Sequence, residues 1–447
     1  MKLNISAELA APNAHRQAGA RKSAHIAVGS LGAAFSLQAA ATLIMQATSF
    51  GALIAVAHLL GKAVYGYFAL TQTTVNTFTS VAALGLGVTA TKHVSQYCRT
   101  DPARVGRTLA LASSVALIAA LIFSTAYAFL CPSLVGPDHA LAVRIGAACI
   151  FFTTLNGYQL GALSGFEAFG AIARTTLMAA LCNLAVTSLA AKLLGLTGAI
   201  VALSCNSFLQ WLLCHFALKH QCRIWNCRPT HGEALREKHI LFSTSTPASI
   251  AALVFSAGNW GSTVLLSKQS NGFGELAVYG VANSFRLVLM FLPSILARVM
   301  LPRLSVLRSL EAESQFRRAF TLYVAGSFGI AASMALVLGA LHRPVLQLFG
   351  NSYAASAPLL ALVLASAVLE IFAGALSQAL IIADYMWAQA AIMALWSVTL
   401  FLCSRCAFTG GAHGLATANI MAWGAASLCY FALVPYAVRM SATKSSG

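Results

Sequence analysis

Acidic side chains are scarce in this chain: 447 residues hold 11 Asp and Glu against 28 Lys and Arg, and charged residues of both signs make up only 9%. That is too little charge to coat a water-soluble fold of this size. Also missing are an Asp-x-Asp pair, a P-loop glycine run, a zinc-protease helix and a Gly-x-Ser-x-Gly elbow, so the enzymes built on those motifs have no residues here. The 11 cysteines lie mostly inside apolar runs, where a thiol packs as a small apolar group. Cys403-x-x-Cys406 stands alone, and Cys214, His220, Cys222, Cys227 and His231 are irregularly spaced. Neither a disulfide framework nor a zinc or redox site is implied. No metal and no cofactor is expected.

Apolar residues are abundant, at 59% of the chain with a mean hydropathy of +0.77. Runs near 20 residues recur along the whole length, which predicts an all-α polytopic membrane protein. The runs place twelve helices near 30–56, 66–90, 108–130, 140–163, 172–192, 195–218, 241–266, 276–300, 319–341, 354–376, 386–405 and 412–436. Six fall in each half. The organisation expected is a 1–27 N-terminal tail, a 28–218 lobe, a 219–240 linker, a 241–436 lobe and a 437–447 tail. The apolar segment after residue 27 is too long for a signal-peptide core, so the tail reads as retained.

The net charge of +17 does not point to nucleic acid, because its distribution follows the positive-inside pattern. Lys92, Arg99, Arg104 and Arg107 fall in one inside loop, Lys219, Arg223, Arg228, Arg236 and Lys238 in the linker, and Arg298, Arg303, Arg308, Arg317 and Arg318 in the next. The outside turns hold Lys62, Arg144, Lys192, Lys268, Arg343 and Arg405. Both termini are therefore expected in the cytoplasm. The outside connections are too short for an external catalytic domain. Pro247, Pro293 and Pro358 fall in or near helices, where they can kink or break the backbone.

The chain repeats itself at a spacing of about 214 residues. Tyr65-Gly66 returns as Tyr279-Gly280, Gly161-Ala162-Leu163-Ser164 returns as Gly374-Ala375-Leu376-Ser377, and Gly195 with Gly198 returns as Gly411 with Gly414. With an even number of crossings per half, both halves enter the membrane the same way, so their symmetry axis runs along the membrane normal. A duplicated bundle of this kind carries its substrate between its halves.

Polar side chains are costly in lipid and face a bundle interior or an aqueous cavity. Helix 1 carries Gln38, Thr42, Gln46 and Ser49 on one stripe, and helix 2 carries Gln72, Asn76 and Thr79. Helix 7 offers Ser249, Ser256, Asn259, Trp260 and Thr263, and helix 8 offers Asn283, Arg286, Met290 and Pro293. Ser and Thr on such stripes also serve plain helix packing. Arg286 is different, because a guanidinium near mid-bilayer costs at least ~2.5–3.5 kcal/mol unless something offsets it. An anionic ligand would do so, since Arg matches a phosphate with two parallel hydrogen bonds. An ion pair with Glu370, the one carboxylate well inside a predicted helix, would do so too. Glu370 is also a candidate for binding a coupling cation or proton.

The stretch Leu59-Leu60-Gly61-Lys62-x-x-Tyr65-Gly66-Tyr67-Phe68-Ala69-Leu70, then Leu84-Gly85-Leu86-Gly87 and a basic loop, resembles the first helix pair of the polysaccharide flippases. These are the O-antigen and exopolysaccharide repeat-unit transporters of the multidrug/oligosaccharidyl-lipid/polysaccharide (MOP) exporter superfamily. Leu194-Gly195-x-x-Gly198-Ala199 and its echo Gly411-x-x-Gly414 add to the likeness. The resemblance implies two six-helix lobes around a cavity formed by helices 1, 2, 7 and 8. It implies a polyprenyl-diphosphate-linked oligosaccharide as substrate, moved by alternating access with its tail left in membrane lipids. A polysaccharide polymerase and export machinery would be the partners. On this reading Arg286 holds the diphosphate, Gln38, Gln46, Gln72, Asn76, Asn259 and Asn283 bond sugar hydroxyls, and Trp260 offers a stacking face. Helix 1 has no deep basic residue, unlike the peptidoglycan-precursor relatives. The rivals are a cation-coupled drug exporter of the same superfamily, a membrane glycan polymerase or ligase, and a membrane scaffold that transports nothing.

Overall fold

Apolar runs of this length satisfy their backbone within a membrane only as helices. The computed structural model describes residues 11–83, 85–227, 238–309, 313–383, 385–406 and 410–444, and among them there is no strand. The helices are α1 (Ala11–Ala82), α2 (Leu86–Tyr97), α3 (Pro102–Leu130), α4 (Pro137–Gly165), α5 (Phe169–Ile224), α6 (Lys238–Ser267), α7 (Gly272–Ser309), α8 (Glu313–Ala340), α9 (His342–Gln347), α10 (Ala357–Ile382), α11 (Met386–Cys406) and α12 (Gly411–Lys444). Local chemistry sets several boundaries. Pro102 opens α3 behind Asp101, whose carboxylate accepts the Arg104 amide at 2.9 Å, and Pro137 opens α4 after Gly136; a proline in the first turn loses no helical hydrogen bond.

Among the described residues, ten helical spans are long and apolar enough to cross a membrane, where the sequence predicts twelve crossings. The difference lies in α1 and α5, whose apolar spans cover 43 and 56 residues. At 1.5 Å per residue these would reach about 65 and 84 Å, far beyond one bilayer core of about 30 Å. Each holds one glycine of non-helical backbone, Gly61 (φ 70, ψ 170) and Gly195 (φ 58, ψ −135). The chain turns there. Gly198 lies against the carbonyl of Ala190, although a straight helix would hold them about 12 Å apart. In α1, the rings of Phe50 and Tyr65 meet those of Phe349 and Tyr353 at 5.7 and 6.5 Å. Two arms each for α1 and α5 restore the twelve crossings.

Other expectations need correction. The second crossing is not one helix over 66–90: Gly85 takes φ 66, so α1 ends at Ala82 and the chain restarts as α2. Pro358 sits in the first turn of α10 and starts that helix rather than bending one, whereas Pro247 and Pro293 lie inside α6 and α7. Helix α1 begins at Ala11, within the segment read as a tail, and the linker is shorter than 219–240, since α5 runs to Ile224 and α6 starts at Lys238. Lys2, Arg228, His231 and Arg236 lie outside the described residues, as do the side chains of Ser249, Arg298, Arg303 and Arg308.

Helices α1 to α5 form one lobe and α6 to α12 the other, and the lobes meet where α1 packs on α6 and α7. The apolar core along this seam joins Val56, Tyr65 and Phe68 to Val281, Phe285 and Leu289, with Phe349 and Tyr353 folded in from the connection after α9. At the charge-poor end of the bundle the seam closes on main chain. Gly66 fits flat against the main chain of Phe273, with no room for a Cβ, and Gly280 faces Ala69 and the Tyr65 ring. The two copies of Tyr-Gly thus oppose each other across the interface. Tyr67 stacks on Phe273 at 3.8 Å and lies over His139 at 4.3 Å. Burial pushes the Tyr353 phenol up to about 12, so this ring stays neutral. The duplication is also visible in the backbone, since Gly195 and Gly411 both take φ 58 where they open their helices. Large apolar side chains such as Ile118, Ile122, Phe129, Leu336 and Leu428 are exposed on the outer faces of the spans, the surface a lipid environment covers.

Candidate functional site

Two charged side chains occupy the middle of the C-terminal lobe. Arg286 stands near the centre of the apolar span Gly272–Ala297 of α7, and Glu370 near the centre of Ala357–Ile382 of α10. The helices bring them together: Arg286 Nη1 lies 3.3 Å from Glu370 Oε2 and 3.4 Å from Oε1. Their side chains are 18% and 12% exposed. Arg286 Nε donates to Asn283 Oδ1 at 3.2 Å, one turn earlier on α7, and Nη1 lies 3.9 Å from Met290 Sδ. Of the two partners the sequence offers this guanidinium, the carboxylate holds it in this state. The contact is end-on through one nitrogen and longer than the ~2.7–2.9 Å of a tight charged hydrogen bond.

Behind Glu370, between α6, α7, α8, α10, α11 and α12, is a cavity of ≈ 350 Å³ whose polar lining includes Ser294, Ser377, Gln378, Gln389 and Tyr430. Tyr430 is fully buried, and its hydroxyl has no hydrogen-bond partner among the described residues. A second space of ≈ 470 Å³ runs between α1 and α7 with Met334 of α8 at its edge, lined by Leu43, Phe50, Leu287 and Phe291 and by Gln46. It is a groove almost without polar atoms, next to the seam.

The remaining stripe residues divide. On the second arm of α1, Asn76 is exposed and Gln72 half-buried, while Thr71, Thr74 and Thr77 are buried and each donates to the carbonyl four residues back, at 2.8, 2.7 and 2.9 Å. Those threonines serve the helix itself. Trp260 is engaged: its indole Nε1 donates to Thr74 Oγ1 across the seam at 3.2 Å and its ring meets Phe78 edge-on at 6.4 Å. Asn259 is half-buried and Gln46 exposed. Gln38 lies in α1, but its side chain falls outside the described residues. Arg286, Asn283 and Glu370 therefore form one cluster, and no hydrogen bond among the described residues joins Gln72, Asn76 or Asn259 to it.

Sequence patterns missed two features. One is the aromatic closure by Tyr67, Phe273, Phe349 and Tyr353, whose only local signal is the aromatic content of short connections. The other is a neutral polar interior in the N-terminal lobe: Gln159, wholly buried, exchanges hydrogen bonds with Trp211 at 3.1 and 3.3 Å, and Asn183 accepts from Thr187 at 3.1 Å. Those amides stand on helices whose stripes are mostly small residues, which hides them.

With this geometry in hand, a profile described as polysaccharide biosynthesis protein matches residues 31–308. No curated protein matches the sequence significantly. Among solved structures, the lipid II flippase MurJ in an inward closed conformation superposes with a TM-score of 0.73 at 13% identity, covering 89% of this chain and 87% of that one. An inward-facing multidrug resistance transporter of the MATE family, in the MOP superfamily, gives 0.71 at 14% identity over 90% and 96%. A MOP superfamily transporter from Pyrococcus furiosus, described as having a binding pocket of reverse polarity, gives 0.64 at 13% over 92% and 94%. At these identities the likeness establishes the two-lobed fold.

Proposed function

The chain belongs to the polysaccharide biosynthesis protein family, and from that premise we propose that it is a flippase for polyprenyl-diphosphate-linked oligosaccharides. Repeat units for a surface polysaccharide would pass from the cytoplasmic to the outer face of the inner membrane as the lobes rock about the seam. The observation that carries this reading is a guanidinium at mid-span on a helix of the lobe interface. A diphosphate offers that group two oxygens in the geometry it bonds best. Gln72, Asn76, Asn259, Gln46 and Gln38 sit on the helices beside the seam and suit sugar hydroxyls, and Asn283 orients Arg286. Trp260 becomes a stacking face only once its bond to Thr74 opens. The groove between α1 and α7 suits a prenyl tail lying at the edge of lipid. Both termini stay in the cytoplasm, and a polymerase and export machinery act on the product.

Replacing Arg286 by Ala should cut surface-glycan export at least tenfold, the cost of about 1.4 kcal/mol of lost binding, in cells lacking their own transporter. Membrane-fraction immunoblots would show the protein present. Export equal to wild type would sink the assignment. The drug-exporter reading calls for a carboxylate in the cavity of the first lobe, and none of the first six helices read from the sequence carries a well-buried acid.

A further inference from the structure

Glu370 is not needed to make α10 a membrane helix. A buried carboxylate is expensive unless paired, and Glu370, whose ionic partner among the described residues is the guanidinium proposed to hold the substrate, cannot keep that partner while substrate is bound. We propose that Glu370 is a built-in competitor for the anionic substrate: it occupies Arg286 while the site is empty, yields the guanidinium to the diphosphate, and takes up a proton through the cavity behind it. The proposal rests on Arg286 being the diphosphate ligand and adds how that site is loaded and cleared.

Three observations support it. The Arg286–Glu370 contact is long and runs through Nη1 alone, with Nη2 unpartnered among the described residues, so the carboxylate grips one nitrogen rather than a fork, a weaker hold than the paired bonds a phosphate can make once it displaces it. The cavity reaches Glu370 and also holds the buried, unpartnered Tyr430 hydroxyl; polar groups in a space this large are the setting in which buried water is found. The cavity also breaks the internal symmetry. Gly161 in the first Gly-Ala-Leu-Ser packs on the main chain of Gly87, whereas its counterpart Gly374 lines the cavity with nothing within 4 Å of its Cβ position. The N-terminal lobe is closed where the C-terminal lobe is open.

Among the described residues, the titratable and charged groups around Glu370 and its cavity are Arg286 and Tyr279 from α7, Tyr323 from α8 and Tyr430 from α12, while α6 and α11 present Phe255, Gln389 and Met393. The phenols do not ionise near neutral pH, which leaves the carboxylate as the group that titrates. The step balances simply: the guanidinium stays cationic throughout, its bond to the carboxylate is exchanged for one to phosphate oxygen, and one proton from water converts the carboxylate to the acid.

The test uses purified full-length protein and farnesyl-diphospho-N-acetylglucosamine, whose diester diphosphate keeps its charge between about pH 5.5 and 8.5. Wild-type affinity should fall roughly tenfold or more as pH rises across this range, because an opposite charge at this distance is worth about one to three pH units. Glu370→Gln should bind tightly at both ends of the range. In weakly buffered solution, at a pH where the carboxylate is ionised, the wild-type protein should take up about one proton per ligand bound, a reading that needs no variant to fold. Equal affinity and equal pH slope in wild type and Glu370→Gln, or binding without proton uptake, overturns the competitor role. Loss of binding in Arg286→Ala would in that case still leave the diphosphate reading standing. Arg286→Ala binding as well as wild type removes both.

Discussion

At the scale of single residues, the decisive feature is how little space the seam leaves. A Cβ at Gly66 would enter the main chain of Phe273, and backbone cannot swing aside as a side chain does. Gly66→Val should therefore lower stability by about 1–3 kcal/mol, the usual cost of overpacking. Thermal unfolding in detergent reads this, with Gly157→Ala, where nothing lies within 4 Å of the new Cβ, as the unaffected control. An unchanged melting temperature for Gly66→Val would mean the contact is not made. Arg286 is legible in sequence because a cation in an apolar run is conspicuous, and Glu370 is legible as its candidate partner because no other acid lies well inside a span. The choice between carboxylate and ligand was not legible, since it depends on how α7 and α10 pack. Trp260 shows the same limit: its bond to Thr74 joins residues far apart in sequence, and no local pattern encodes it.

At the scale of elements, glycines decide where helices stop. Gly195 holds φ 58 with ψ −135, a region L-residues avoid, and Gly411 repeats the positive φ beside the carboxylate of Glu275. That carboxylate accepts the Ala412 amide at 2.9 Å and so caps α12. Gly195→Ala and Gly411→Ala should each cost about 1–3 kcal/mol, with Gly411→Ala the more severe because the added methyl also meets the cap. Denaturant or thermal unfolding of the two variants against Gly424→Ala, an open position, checks both magnitude and order. The paired glycines are readable from the internal repeat, and the two folds back in α1 and α5 from the lengths of the apolar runs. The break at Gly85 was not readable, because Leu84-Gly85-Leu86-Gly87 is apolar on both sides and a glycine in such a run is as compatible with close packing as with a turn. Gly87, a little further along, packs closely against Gly161 and shows the other outcome.

At the scale of the whole molecule, the two lobes meet at the charge-poor end through matched glycines and stacked rings, and among the described residues the one ion pair within the spans lies in the C-terminal lobe. Apolar periodicity and duplication give the lobes and their symmetry; the departure from symmetry comes from two charged side chains and a cavity that only packing reveals. That departure has an electrical meaning. With Arg286 and Glu370 paired, the empty site is neutral, so resetting the unloaded protein moves no charge through the membrane field. Loaded with a doubly charged diphosphate and a protonated Glu370, it carries one net negative charge, on which an inside-negative potential acts with about 2.3 kcal/mol per 100 mV, in favour of outward delivery. In proteoliposomes under an imposed potassium diffusion potential, delivery of labelled lipid-linked sugar should quicken as the donor side is made negative, and a rate indifferent to voltage would contradict this charge assignment. Voltage would then push the cargo outward and leave the return of the empty carrier untouched.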